Sequence, residues 1–72
     1  MKIVVIDGQG GGMGRSIVQL LRRELPEAHL VAVGTNAVAT PAMLKAGAPV
    51  GATGENAVVY NCADADLIVG AI

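Results

Sequence analysis

The sequence predicts an α/β domain built on a parallel sheet wound on both faces, and three observations carry that reading. Two unbroken aliphatic runs, Ile3-Val4-Val5-Ile6 and Leu30-Val31-Ala32-Val33, flank a single amphipathic stretch. A glycine-dense turn joins the first run to that stretch. Further downstream, apolar and polar segments keep alternating at the spacing of more strand and helix units. Strands that read as continuous apolar runs have no polar face, so they belong to a sheet covered on both sides.

Ile3 to Ile6 is the first strand. Met13, Ile17, Leu20, Leu21 and Leu25 then recur at helical spacing, with Arg15, Gln19, Arg22 and Arg23 opposite them. This predicts a helix ending near Pro26. Leu30 to Val33 is the second strand, and one helix between two parallel strands makes a right-handed crossover. Thr40 followed by Pro41 reads as an N-cap and first helical residue, with Gly47 as the stop of a short helix whose Met43 and Leu44 turn inward. Ala48 to Gly51 reads as a brief third strand. Glu55 to Cys62 can be strand or helix, and alternation favours helix, because Leu67 to Val69 is a strand after the polar break at Asp64 and Asp66. The chain closes on an apolar strand that nothing after Ile72 covers, and an open apolar strand invites pairing. Residues 1–72 are therefore expected to form one unit, the N-terminal portion of a longer domain or a unit completed by another subunit, a homo-oligomer included.

A chain of 72 residues has room for one domain, since at this size only ~60% of the unfolded surface is buried. It contains no Phe or Trp and a single Tyr, so the core must be made of Val, Ile, Leu, Met and Ala. A formal net charge of -1 supplies no basic stripe to neutralise a phosphate backbone, which excludes nucleic acid as an expected partner. The apolar runs fall far short of the ~20 residues that cross a bilayer, and no signal-peptide core is present. No membrane association and a cytoplasmic location are the expectations. The lone Cys62 cannot form an internal disulfide.

The glycine turn is the main candidate site. In Asp7-Gly8-Gln9-Gly10-Gly11-Gly12-Met13-Gly14-Arg15, five of nine residues are glycine, placed where a buried strand becomes an amphipathic helix. Such a turn lets backbone amides approach a pyrophosphate, and the open N–H groups and dipole of the helix's first turn favour the anion. The strict G-x-G-x-x-G pattern from Gly8 fails at Met13. G-x-x-G-x-x-G fits through Gly8, Gly11 and Gly14, and G-x-x-x-G-x-G fits through Gly8, Gly12 and Gly14. The latter resembles the cofactor turn of short-chain dehydrogenases, and GGGMGR resembles that of prephenate dehydrogenases. The resemblance implies a Rossmann-like unit binding a nucleotide or dinucleotide, NAD(P) first, with Gly8, Gln9, Gly10, Gly11, Gly12, Met13 and Gly14 on the pyrophosphate. Thr35 and Asn36, at the end of the second strand, would lie near the ribose.

Two residues qualify an NAD assignment. Asp7 puts a carboxylate at the lip of the turn, where it repels phosphate unless Arg15, a hydrogen bond or a metal offsets it; capping the turn is the better account. Gly34-Thr35-Asn36 lacks the acid that grips a ribose 2′-hydroxyl, and no arginine follows it to take a 2′-phosphate. A competing motif is a deviant P-loop, since Gly11-Gly12-Met13-Gly14-Arg15-Ser16 resembles the G-G-x-G-K-S core of partitioning-type ATPases. Arg15 stands in place of the lysine, and its broad guanidinium is a poor substitute.

Elsewhere the candidates are plainer. Tyr60 lacks the lysine four residues on that a short-chain dehydrogenase needs, since Asp64 stands there. Cys62 has no histidine close in sequence to activate it, and His29 opens the second strand as a solvated residue. No metal-ligand spacing is present, and Asp64 and Asp66 belong to a turn. Thr53-Gly54-Glu55-Asn56 would end the third strand on the edge that carries the glycine turn, or simply cap the next helix. No catalytic residue is assigned, so an NAD(P)-dependent oxidoreductase and a non-catalytic regulatory or partner-binding subunit with a vestigial nucleotide site both stay open.

Taken together, MKIVVIDGQGGGMG, AVGTNAVATPAMLKAGA and GATGENAVVYNCADADLIVGAI resemble a short bacterial family classed as a domain of unknown function. The resemblance covers essentially the whole chain. It implies a Rossmann-like fold, a nucleotide-binding look at the N-terminus and further elements beyond Ile72, and it brings no catalytic residues with it.

Overall fold

The computed structural model describes residues 1–71. Its elements run β1 (Lys2–Asp7), α1 (Gly12–Glu24), β2 (His29–Gly34), α2 (Ala39–Lys45), β3 (Val50–Thr53), α3 (Glu55–Cys62) and β4 (Leu67–Ala71). The strands form one parallel sheet in the order β3-β2-β1-β4. β1 is central, with Val4 opposite Val31 on one side and Ile68 on the other. This is the Rossmann-like doubly wound arrangement. The expected continuation beyond Ile72 lies outside the described residues.

The two faces of the sheet carry separate cores. Because successive strand residues point to opposite faces, Ile3 and Val5 of β1 join Leu30 and Ala32 of β2 beneath α1 and α2, with Val18, Ala39, Met43 and Ala48. On the other face Val4, Val31 and Val33 lie beneath α3, packed by the partly buried Ala57, Val58 and Cys62. Both strands are buried on both sides, which is why neither sequence alternates.

Several elements differ from the sequence reading in instructive ways. Leu25 is exposed just past the end of α1; within the helix Gly14 and Val18 are buried and Ile17 and Leu21 partly buried, whereas Met13 and Leu20 are exposed. Gly14 decides this. A Cβ there would stand 2.6 Å from Met43 Sδ and 2.9 Å from Asp7 Oδ2, so only glycine lets that side of the helix lie against the sheet and α2. The third strand begins at Val50, after Pro49, and runs to Thr53 rather than from Ala48 to Gly51. In α2, Met43 is fully buried but Leu44 is 41% exposed, lying against Gly51, where a Cβ would come within 2.9 Å of it.

Thr40 is not the N-cap of α2. The helix starts at Ala39, and Asn36 supplies the cap by accepting from the amides of Val38 (3.0 Å) and Ala39 (2.9 Å). Thr40, 5% exposed, instead pins three elements together. Its hydroxyl accepts from the Gly34 amide (3.1 Å) and the Thr53 hydroxyl (2.8 Å), and donates to the Ala52 carbonyl (3.1 Å). At the opposite edge of the sheet, the loop before β4 holds the start of β1. The Lys2 amide donates to Asp66 Oδ2 (2.7 Å), and the Lys2 ammonium pairs with Asp64, whose carboxyl it holds below the ordinary value. The two aspartates lie in a turn, as the sequence suggested.

Candidate functional site

In a sheet of this order the strand direction of winding reverses beside β1. The crevice above the C-terminal ends of β1 and β4 is where such folds place ligands. The glycine turn stands there, between β1 and α1. Four of its glycines, Gly10, Gly11, Gly12 and Gly14, divide by what surrounds them. Gly11 has φ +91°, and a Cβ on it would lie 2.7 Å from Ala42 Cβ and 3.0 Å from Ala39 Cα. Gly11 and Gly14 are therefore required by the packing of α2 on the turn. A Cβ at Gly10 or Gly12 would meet nothing within 4 Å, and neither has a positive φ.

Asp7, the last residue of β1, organises the turn from below. Only 1% exposed, its carboxylate accepts from the amides of Gln9 (2.7 Å) and Gly11 (3.3 Å) through Oδ1 and of Gly14 (2.8 Å) through Oδ2. Burial by itself pushes this carboxyl up, but the three amides outweigh it and hold it below the ordinary carboxylate value. The expected repulsion at the lip is thus settled internally, by main-chain N–H groups. Asp7 caps the turn. Among the described residues, the amides of Gly10, Gly12 and Met13 have no hydrogen-bond partner, and no acid lies in the first turn of α1.

The second strand contributes unevenly to the crevice. Thr35 is exposed beside the turn, and its amide donates to the Asp7 carbonyl (3.1 Å). Asn36 is committed inward: besides capping α2 it donates from Nδ2 to the Gln9 carbonyl (2.6 Å), tying the glycine turn to the start of α2. Both acceptor positions of its side-chain oxygen are filled, leaving one N–H for anything else. Of the residues expected near the ribose, Thr35 has the freer side chain.

The segment from Thr53 to Asn56 ends β3 and starts α3, with Gly54 (φ +107°) at the N-cap and Glu55 in the helix's first turn. Its backbone is tied to β2 through the Gly54 amide and Gly34 carbonyl (2.9 Å). Tyr60 is 80% exposed, His29 is exposed at the start of β2, and Cys62 is partly buried against the smaller core. Among the described residues, no three of His, Cys, Asp and Glu gather as a metal set. No helix among them is long and apolar enough to cross a membrane.

A family model described as "Domain of unknown function (DUF3842)" matches residues 2–72. The chain belongs to the DUF3842 family. Comparisons of this DUF3842 chain with curated proteins and with solved structures find no match. Family membership agrees with the resemblance drawn from the sequence and covers the glycine turn, the Asn36 tie and the Thr40 cluster alike.

Proposed function

We propose that the chain is a cytoplasmic protein that binds a nucleotide or dinucleotide, NAD(P) ahead of ATP, with the phosphates over the glycine turn. One observation carries this reading: Gly10 and Gly12 are glycines that the fold does not need. They relieve no clash and adopt no left-handed backbone. Glycine loses more conformational freedom on folding than any other residue, so both positions cost stability where the fold does not call for them. A phosphate resting directly on the backbone gives both positions a reason, and the free amides of Gly10, Gly12 and Met13 lie at the positive end of α1 to receive it. Asp7 shapes the turn from beneath by holding Gln9, Gly11 and Gly14.

The test is thermal unfolding of the folded protein with NADH, NADPH, FAD and ATP in turn. A ligand at a hundred times its Kd stabilises by about 2.7 kcal/mol, a readily measured rise in Tm. Gly12→Val is expected to leave the unliganded Tm nearly unchanged and to remove that rise. If none of the four ligands shifts the wild type, the reading is lost.

A second reading, a regulatory or partner-binding subunit with a vestigial nucleotide site, is favoured by Asp7 itself, which already holds three amides of the turn. Leu67 (41% exposed) and Ile68 (52%) on the edge strand β4 would then meet the partner. A well-behaved monomer in size-exclusion chromatography would remove its motive. The deviant P-loop draws less support, because Arg15 lines a groove toward α2.

A further inference from the structure

Beside the glycine turn, α1 and α2 enclose a groove of about 310 Å³ lined by Arg15, Val38, Pro41, Ala42 and Lys45. It abuts the turn directly, since Ala42 is the residue a Cβ on Gly11 would strike. It also abuts the loop after β2, where Asn36 joins the Gln9 carbonyl to the amide of Val38. Arg15 and Lys45 form no salt bridge among the described residues, and no acid lines the groove. In a chain of net charge -1 this places two uncommitted cations on one concave surface.

We propose that this groove takes a phosphomonoester, and that the chain binds a 2′-phosphorylated dinucleotide in preference to its unphosphorylated form. The inference rests on the nucleotide reading and adds the ligand's class. A dinucleotide whose pyrophosphate sits over Gly10 and Gly12 carries its adenosine ribose toward the end of β2, and the groove adjoins the segment that follows that strand through Val38. The guanidinium of Arg15 offers a planar fork to phosphate oxygens and Lys45 a point charge. The sequence offered no arginine after the second strand to play this part. Folding brings one from α1, ahead of that strand.

Fluorescence titration of the whole chain with NADPH and NADH at low salt tests the proposal. Wild type is expected to bind NADPH about tenfold more tightly than NADH, a ratio that shrinks as salt screens the exposed cations. Arg15→Gln and Lys45→Gln should each reduce the ratio and together abolish it, with NADH affinity little changed. Arg23→Gln, which removes a charge from α1 outside the groove, should leave the ratio as it is. Equal binding of the two cofactors by wild type, or a loss of preference in Arg23→Gln as large as in Arg15→Gln, overturns the groove assignment while the nucleotide reading stands. Failure of both cofactors to bind likewise overturns the groove assignment, and the nucleotide reading falls with it only if FAD and ATP also leave the Tm unchanged.

Discussion

The two faces of the sheet are covered by very different means. Under α1 and α2 lie eight buried residues, seven from β1, β2 and the two helices and Ala48 from the loop after α2, together with the capped glycine turn and the Thr40 cluster. Under α3, among the described residues, Val4, Val31 and Val33 alone are buried, all from strands, and no residue of α3 is. Val59 (73% exposed) and Tyr60 (80%) stand on the outside of that helix. The difference teaches where this small domain concentrates its specificity. The contacts of Asp7, Asn36 and Thr40 with the backbone lie on the face that builds the candidate site, so variants there should report on both stability and binding.

Gly11→Ala should break the comparison most severely. A left-handed residue with a side chain costs about 1–2 kcal/mol, and overpacking against Ala42 and Ala39 adds about 1–3 kcal/mol. Chemical denaturation should show a loss of about 3 kcal/mol, against almost none for Gly12→Ala one residue away.

Asp7→Asn comes next, because it replaces an acceptor oxygen with a donor facing main-chain N–H groups. A loss of about 2–3 kcal/mol at neutral pH is expected. The wild-type carboxyl is held below its ordinary value of 3.8 in the folded state. Its contribution is therefore complete above that value and lost as pH falls through the folded one. Stability curves of the two proteins should converge in acid below about pH 3.8, and parallel curves there would count against the cap.

Asn36→Ala should cost about 1–2 kcal/mol, the range for a lost cap, with a change in the Gln9 amide region of an NMR spectrum as its companion sign. Tyr60→Ala should stay within about 0.5 kcal/mol, because so exposed a ring contributes little to the fold. A larger loss would mean that the α3 face is better covered in solution than its exposure suggests.

Much of the architecture was legible because it depends on short-range pattern. The runs at Ile3 and Leu30 could only be doubly buried strands, and Gly14 was readable as a close-packing glycine one turn into α1. Asp7 was recognised as a cap because a carboxylate ending a strand before a glycine turn has main-chain N–H groups within reach. What escaped the sequence depended on contacts between distant segments. Thr40 and Pro41 make a sound local N-cap signature, yet Asn36 had already satisfied the helix's first amides, freeing Thr40 to bind Gly34, Ala52 and Thr53. The Asn36 spacing, two and three residues before the amides it caps, was a usable signal. Leu20 looked like core because hydropathy cannot see that Gly14 turns its own side of α1 to the sheet, and Leu25, in line with Gly14, is exposed because the helix ends before it at Glu24. Likewise, nothing local distinguishes Gly10 and Gly12, which face open space, from Gly11, which lies under α2.

The strand order has a further consequence for how the chain is made. Among the described residues, the fully buried members of the larger core lie between Ile3 and Ala48, so most of that core can close while the ribosome is still adding the rest, before Val69 packs against it. β1, at the centre of the sheet, nevertheless waits for its second neighbour until β4 arrives from Leu67 onward. During that interval one row of its backbone groups stays unpaired, a template for another nascent chain. The clamp of Asp64 and Asp66 on Lys2 lies immediately before β4 in the sequence, so it can align the last strand as it reaches that edge.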